Sequence, residues 1–234
     1  MTPPAFSPVG LRLENIDKRY GGLLALRGVS LVIAPGECVV FAGRNGSGKT
    51  TLLRIAARLV RPSRGTLSFS RESQAGEDHA IRPGFVAHAT MVYDELTAEE
   101  NLLLFARLQE VAQPERRVDT LLNEVGLSDR RGSLVRTFSR GMRQRVAIAR
   151  ALLHEPSVLL LDEPATGLDP QGVAWLAEEI RRLRDSGRTI LMSLHGESEI
   201  SSLGTRAIRL DSGSITADTR TGATFRSILT FADA

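Results

Sequence analysis

An α/β fold built on a mainly parallel sheet with flanking helices is predicted by three observations. The first is an eight-residue phosphate-loop pattern, Gly43-Arg44-Asn45-Gly46-Ser47-Gly48-Lys49-Thr50, set between an apolar run and an amphipathic one. The second is a wholly apolar segment, Val158 to Leu161, that ends in the acidic pair Asp162-Glu163, the pattern of a parallel strand buried on both faces. The third is the helical periodicity of residues 85–155, which separates these two strand regions and marks an inserted block. Together they predict a P-loop NTPase core with an N-terminal antiparallel β subdomain and an α-helical insertion.

Taken in order, residues 11–34 read as strands with a turn at Gly21-Gly22, and the apolar run Leu31 to Ile33 is closed by Pro35-Gly36. Val39 to Ala42 forms the strand into the phosphate loop. Leu52, Ile55, Ala56 and Leu59 lead out at helical spacing, and that helix is expected to end near Arg61-Pro62, where proline disfavours continuation. Residues 70–84, rich in serine, glycine and charge, read as a surface loop. Thr97-Ala98-Glu99-Glu100 is a capping box ahead of Leu102, Phe105 and Ala106. Pro114 opens a second helix through Val118, Leu121, Leu122 and Val125, which Gly126 closes, and a third helix begins after Ser139. Beyond Val158–Leu161, Asp169-Pro170 caps a helix carrying Val173, Leu176, Ala177, Ile180 and Leu183. Thr189 to Leu194 is the next strand, and Ala207 to Ile215 reads as a hairpin around Ser212-Gly213. The organisation expected is one domain over 1–234, with the α/β core and β subdomain in 1–84 and 156–234 and the helical subdomain in 85–155.

With 234 residues, 42% of them hydrophobic and 24% charged, the chain suits one substantial soluble core. It shows neither an apolar run long enough for a membrane span nor a signal-peptide pattern after Met1-Thr2-Pro3-Pro4, so a cytoplasmic location is expected. Cys38 is the single cysteine and reads as a small core side chain. The net charge of +3 is dispersed and aromatics make up 5%, which argues against the basic stripe and stacking platforms of a nucleic-acid binder.

Of 30 Lys and Arg residues only Lys18 and Lys49 are lysine. Finding one of the two inside the phosphate loop supports its role, because a compact ammonium fits among phosphate oxygens where a planar guanidinium does not. Gly43, Gly46 and Gly48 let the backbone turn its N–H groups toward an anion, and the positive end of the next helix points at the same place. Arg44, Asn45, Ser47 and Thr51 complete the expected nucleotide contacts. Lys49 is expected to reach the β- and γ-phosphates of ATP and Thr50 the magnesium ion. Asp162, at the carboxyl end of its strand, is expected to hold Mg2+ directly or through water, and Glu163 to polarise the attacking water.

On these residues the chain resembles the ATP-binding subunits of ABC transporters, over about 11 to 215. The segment Ser139-Arg140-Gly141-Met142-Arg143-Gln144-Arg145 looks like the family signature at the start of a helix. It departs from the commonest LSGGQ form but keeps Ser139 and Gly141, a hydroxyl and a backbone N–H suited to a γ-phosphate. The resemblance implies that this signature completes the site of a second subunit, with two ATP molecules between head-to-tail partners, either a homodimer or a pair with a similar chain. It also implies that Tyr20 stacks on adenine, that Leu168-Asp169 cross between subunits, and that His195 contacts the γ-phosphate. Where most members carry a glutamine that touches magnesium, this chain has His88, whose neutral imidazole can still accept from a metal-bound water.

The function expected is ATP hydrolysis driving a separate transmembrane permease, with the chain peripheral on the inner face of the membrane. His88, the stretch Tyr93-Asp94-Glu95-Leu96-Thr97 and the form of the signature are similar to the haem-exporter ATPases of cytochrome c maturation. An ATPase of another export system, for drugs, lipids or polysaccharides, is the alternative. ABC ATPases acting on DNA or ribosomes are disfavoured, because neither a long coiled coil nor a second ATPase domain is present. A regulatory subunit with little turnover is held down by Glu163 and His195.

Overall fold

The computed structural model describes residues 8–71, 81–194 and 199–230. Two sheets share the fold. The first is antiparallel, with β1 (Val9–Tyr20) between β2 (Leu23–Ile33) and β4 (Arg64–Arg71). The second runs β5 (Gly84–Val86), β6 (Val158–Asp162), β7 (Thr189–Ser193), β3 (Cys38–Ala42), β8 (Arg206–Asp211), β9 (Ser214–Asp218), and is parallel except for the final β8–β9 hairpin.

The central strands β3, β6 and β7 are buried at every position. Their side chains alternate between two cores, as the strand period of two requires. Cys38, Val40, Ala42, Leu159, Leu161, Ile190 and Met192 point toward the helical side. Val39, Phe41, Val158, Leu160 and Leu191 point toward the antiparallel sheet and helix α1 (Lys49–Ala56). This double burial explains why these runs read as continuous apolar segments.

The helices α2 (Ala98–Leu108), α3 (Pro114–Glu124), α4 (Arg140–Leu152) and α5 (Pro170–Asp185) start where their caps predict. Thr97 accepts from the Glu100 amide while Glu100 accepts from the Thr97 amide, so the capping box is complete. Ser139 caps α4 by accepting from the Met142 amide, and Asp169 caps α5 by accepting from the Gly172 amide. A short helix, α6 (Phe225–Leu229), ends the described chain.

Two expectations are corrected. Helix α1 stops at Ala56, five residues before Arg61, because Arg58 turns to φ +60° and the amides of Leu59 and Val60 both fold back onto Arg54 O. Leu59 therefore lies outside the helix and is exposed. Residues 64–71 form β4, paired with β1 from Asp17↔Arg64 to Val9↔Arg71, and residues 84–86 form β5, so the region around 70–84 begins and ends in strand. Among the described residues no helix is long and apolar enough to cross a membrane.

Candidate active site

The parallel order of β6, β7 and β3 places the carboxyl ends of three strands side by side, the edge where ligands bind in open α/β sheets. From β3 the chain enters the phosphate loop at Gly43, with φ +154°, where a Cβ would lie 2.4 Å from Leu210 O and 2.5 Å from Ser47 Oγ. Gly48 precedes α1 at φ +106°, and a Cβ there would meet Ala25 O at 2.8 Å. Both positions demand glycine for space as well as conformation. Above Gly46, by contrast, nothing lies within 4 Å of where a Cβ would be, so the loop's backbone faces open space able to admit an anion.

Lys49 begins α1 and is 4% exposed. Its ammonium donates to Gly43 O at 2.7 Å and Arg44 O at 3.2 Å. Burial pulls its pKa below the usual lysine value, against the opposing pull of Glu163 and Asp162. Thr50 Oγ1 donates to Asp162 Oδ1 at 3.0 Å, linking the first turn of α1 to the end of β6. Ser193, at the end of β7, donates to the same carboxylate oxygen at 2.8 Å and accepts from the Glu163 amide at 2.9 Å. Sequence reasoning missed Ser193; a serine closing an apolar strand carries no local signal.

Glu163 holds a left-handed backbone at φ +51°, uncommon outside glycine and concentrated at functional sites. Its Oε2 lies 3.5 Å from His88 Nδ1, and His88 sits on the exposed loop after β5. A cavity of about 450 Å3 opens between the phosphate loop and Glu163, with Asp162, Ser193 and His88 outside its lining. It is lined by Tyr20, Leu23, Arg27, Asn45, Gly46, Ser47, Gly48, Lys49, Thr50, Thr51 and Glu163, among others. Tyr20 is 44% exposed at its rim, and Lys18 Nζ stands 4.9 Å from its ring centroid. Lys49 lines this cavity, whereas Lys18 stands beside the Tyr20 ring and donates to Arg61 O at 2.9 Å.

Ser139 and Gly141 do not line it; they sit at the start of α4 with Ser139 exposed. His195 lies outside the described residues. Thr50 and Asp162 present hydroxyl and carboxylate oxygens, the donor chemistry magnesium prefers. Among the described residues no group of three or more His, Cys, Asp or Glu could hold a metal alone. Thr50 and Asp162 would supply one or two protein oxygens to such an ion, with phosphate oxygens and water completing its shell.

A phosphate loop, an acidic pair two strands away in the sheet and a serine-capped helix on an inserted block define a nucleotide-hydrolysing cassette, and the comparisons name the class. Residues 26–166 match the ABC transporter family, and the chain belongs to it. It is 40% identical over 196 residues to the ABC transporter ATP-binding protein NatA of Bacillus subtilis, covering 82% of this chain and 80% of that one. It is 36% identical to the daunorubicin resistance ATP-binding protein DrrA3 of Streptomyces coeruleorubidus, covering 89% of this chain and 67% of the relative. It is also 36% identical to a Nod factor export ATP-binding protein I of Ralstonia nicotianae, covering 87% of this chain but 64% of that protein. Among solved structures, the dimeric post-hydrolysis state of the ATP-binding cassette MJ0796, bound to ADP and Pi, superposes with a TM-score of 0.78. That match has 28% identity and covers 89% of this chain and 97% of the cassette. The chain is therefore an ATP-binding subunit of the ABC type and an ATPase.

Proposed function

We propose that this chain works as a head-to-tail pair whose ATP-driven closure and hydrolysis-driven opening power a separate transmembrane subunit that exports a small molecule. The relatives named for daunorubicin resistance and Nod factor export support the export reading and the membrane partner. They fit the wider exporter alternative better than haem export, since none of the relatives named above carries a haem or cytochrome name. The dimer seen for MJ0796 supports the pairing. The chain itself would sit on the cytoplasmic face through the permease.

One observation carries the mechanism: Thr50 and Ser193 hold the same Asp162 oxygen while the amide of Glu163 is held by Ser193. Three elements, α1, β6 and β7, are thereby joined around one carboxylate, which holds the backbone of Glu163 at the phosphate cavity that its side chain lines. Magnesium, when bound with the triphosphate, neutralises charge that develops between the β- and γ-phosphates. Lys49 leaves its two carbonyl partners for phosphate oxygens, and the loop amides cradle the anion. Glu163 orients the attacking water and accepts its proton. Tyr20 stacks the base. The γ-phosphate is bridged from the opposite side by Ser139 and Gly141 of the partner, so its loss on hydrolysis releases the closed state. His88, whose ring stands 3.5 Å from Glu163, would accept from a metal-bound water, and His195, which lies outside the described residues, takes the γ-phosphate contact that the family resemblance implies.

Measurement of phosphate release from wild type and Glu163→Gln tests the mechanism. Turnover is expected to fall by at least about a hundredfold in the variant, with ATP binding retained; turnover at the wild-type rate would remove Glu163 from the role.

A further inference from the structure

Two arginines in the first turn of α4 touch the two loops that run to the chain's own catalytic centre. Arg143 Nη1 donates to Asp94 Oδ1 at 2.8 Å, while Nε and Nη2 donate to Phe138 O at 3.3 Å and Arg136 O at 3.2 Å. Asp94 belongs to the segment that starts at His88. The segment is stapled to the same region by its backbone, Arg136 N donating to Asp94 O and Val135 N to Leu96 O. Arg150, three turns along α4, donates to Met91 O at 2.5 Å. Three residues before Met91 lies His88, whose ring reaches Glu163.

Arg140 reaches the second loop. A Cβ on Gly167 would lie 2.7 Å from Arg140 Nε and 2.8 Å from its Cζ, so the guanidinium rests directly on that glycine. Gly167 belongs to the turn that leaves Glu163, where Thr166 N donates back to Glu163 O at 3.2 Å. Helix α4 is buried continuously from Val146 to Leu152, so its first turn is anchored on a packed body.

We propose that Arg140 and Arg143 are positioning residues which transmit the state of the signature serine at the head of α4 to His88 and Glu163 of the same chain. This rests on the head-to-tail reading above. There, Ser139 of one copy meets the γ-phosphate bound by the other, so a nucleotide filling one site adjusts the catalytic geometry of the second. The Arg143–Asp94 pair is half-exposed, at 30% and 50% side-chain accessibility, and contributes little as a bare ion pair. Its value is geometric, because it fixes where the two segments meet. The physical warrant for a relay is coupling between the two ends, which a double-substitution cycle measures.

ATP turnover of the full chain is followed against ATP concentration for wild type, Arg143→Ala, Asp94→Ala, Arg140→Gly and the charge exchange Arg143→Asp with Asp94→Arg. Nucleotide Kd is measured in parallel. Wild type is expected to be cooperative with a Hill coefficient approaching about 2, the number of sites in the pair. Each single variant is expected to lose about five- to tenfold in kcat and to fall toward hyperbolic kinetics with Kd unchanged, and the exchange to recover most of both. Hyperbolic wild-type kinetics, single variants indistinguishable from wild type, a loss that tracks a weakened Kd, or an exchange that recovers nothing while still binding nucleotide would each overturn the relay. Glu163→Gln run alongside separates the two ideas: persistent turnover there breaks the catalytic reading, whereas an inactive Glu163→Gln beside a normal Arg143→Ala breaks only the relay.

Discussion

Lys49 shows how much one side chain's shape matters. Its ammonium sits between two carbonyl oxygens at 2.7 and 3.2 Å in a pocket that leaves it 4% exposed. A guanidinium cannot enter that space in the same posture. Lys49→Arg is therefore expected to lose turnover almost as fully as Lys49→Ala, by about a hundredfold or more, checked by phosphate release and nucleotide titration. Cys38 lies at the opposite extreme. Burial pushes its thiol up to about 12, so it is neutral at physiological pH and closed to reagents that need the thiolate. Native protein is expected to resist iodoacetamide at pH 8 and to take up one equivalent once unfolded in urea; rapid labelling of the native state would contradict the buried placement. At this scale the sequence pointed to Lys49, Thr50, Asp162 and Glu163, whose spacing within short motifs expresses their chemistry. Ser193 was not legible, because it acquires its part from Asp162, which belongs to a different strand, and Lys18, although only two residues from Tyr20, belongs to no motif that places its ammonium beside that ring.

Among the elements, caps were easiest to read and ends hardest. Thr97, Ser139 and Asp169 each accept from the amide three residues on, so their signal is wholly local. Helix α1 ends early through a left-handed Arg58, which no proline or glycine announces. Strand β4 was also missed, although Leu67 and Phe69 alternate with Thr66, Ser68 and Ser70 in the period of a half-buried strand; its partner β1 lies some fifty residues back. Asn101 illustrates what an element needs from its interior. Fully buried on α2, it accepts from Tyr93 N and donates to Tyr93 O, Leu96 O and Thr97 O, holding the loop that follows His88. Asn101→Leu preserves volume but strands those groups, and is expected to lower stability by on the order of 2–3 kcal/mol in urea unfolding. A loss below about 0.5 kcal/mol would mean that the loop finds other partners.

For the whole molecule, the seam between the two sheets is closed by a buried charge cluster. Arg206, 5% exposed, bridges Asp218 at 2.5 Å, donates to Val32 O at 2.8 Å and stands 3.6 Å from Glu37, which also pairs with Arg220 at 3.0 Å. Removing the central cation takes from the Asp218 carboxylate its guanidinium partner in a buried place, while Glu37 keeps Arg220. Arg206→Met is expected to cost about 3–5 kcal/mol, measured by denaturant unfolding near neutral pH. Burial alone would raise the Asp218 carboxyl, but its bonds from Arg206 and the Arg220 amide outweigh that and hold it below its ordinary value. A carboxyl depressed in the folded state stabilises fully above its unfolded value, and that contribution is lost as pH falls through the folded one. The difference between wild type and Arg206→Met should accordingly narrow on acidification below the carboxylate range, and a difference independent of pH would rule out the ionic account. For the assembly, Glu163→Gln with ATP is expected to elute at twice the monomer mass, and Glu163→Gln combined with Gly141→Asp to bind ATP yet remain single by light scattering.

Local order was enough to reveal the phosphate loop, the acidic pair, the serine-capped signature and the alternation of strands with helices, because each depends on residues within one or two turns of one another. The strand order β5-β6-β7-β3-β8-β9 could not be read that way. It alone brings Ser193 and Thr50 onto Asp162, sets His88 beside Glu163 and seats Arg140 on Gly167, since contacts between distant segments arise only when two cores are filled from opposite faces of one sheet.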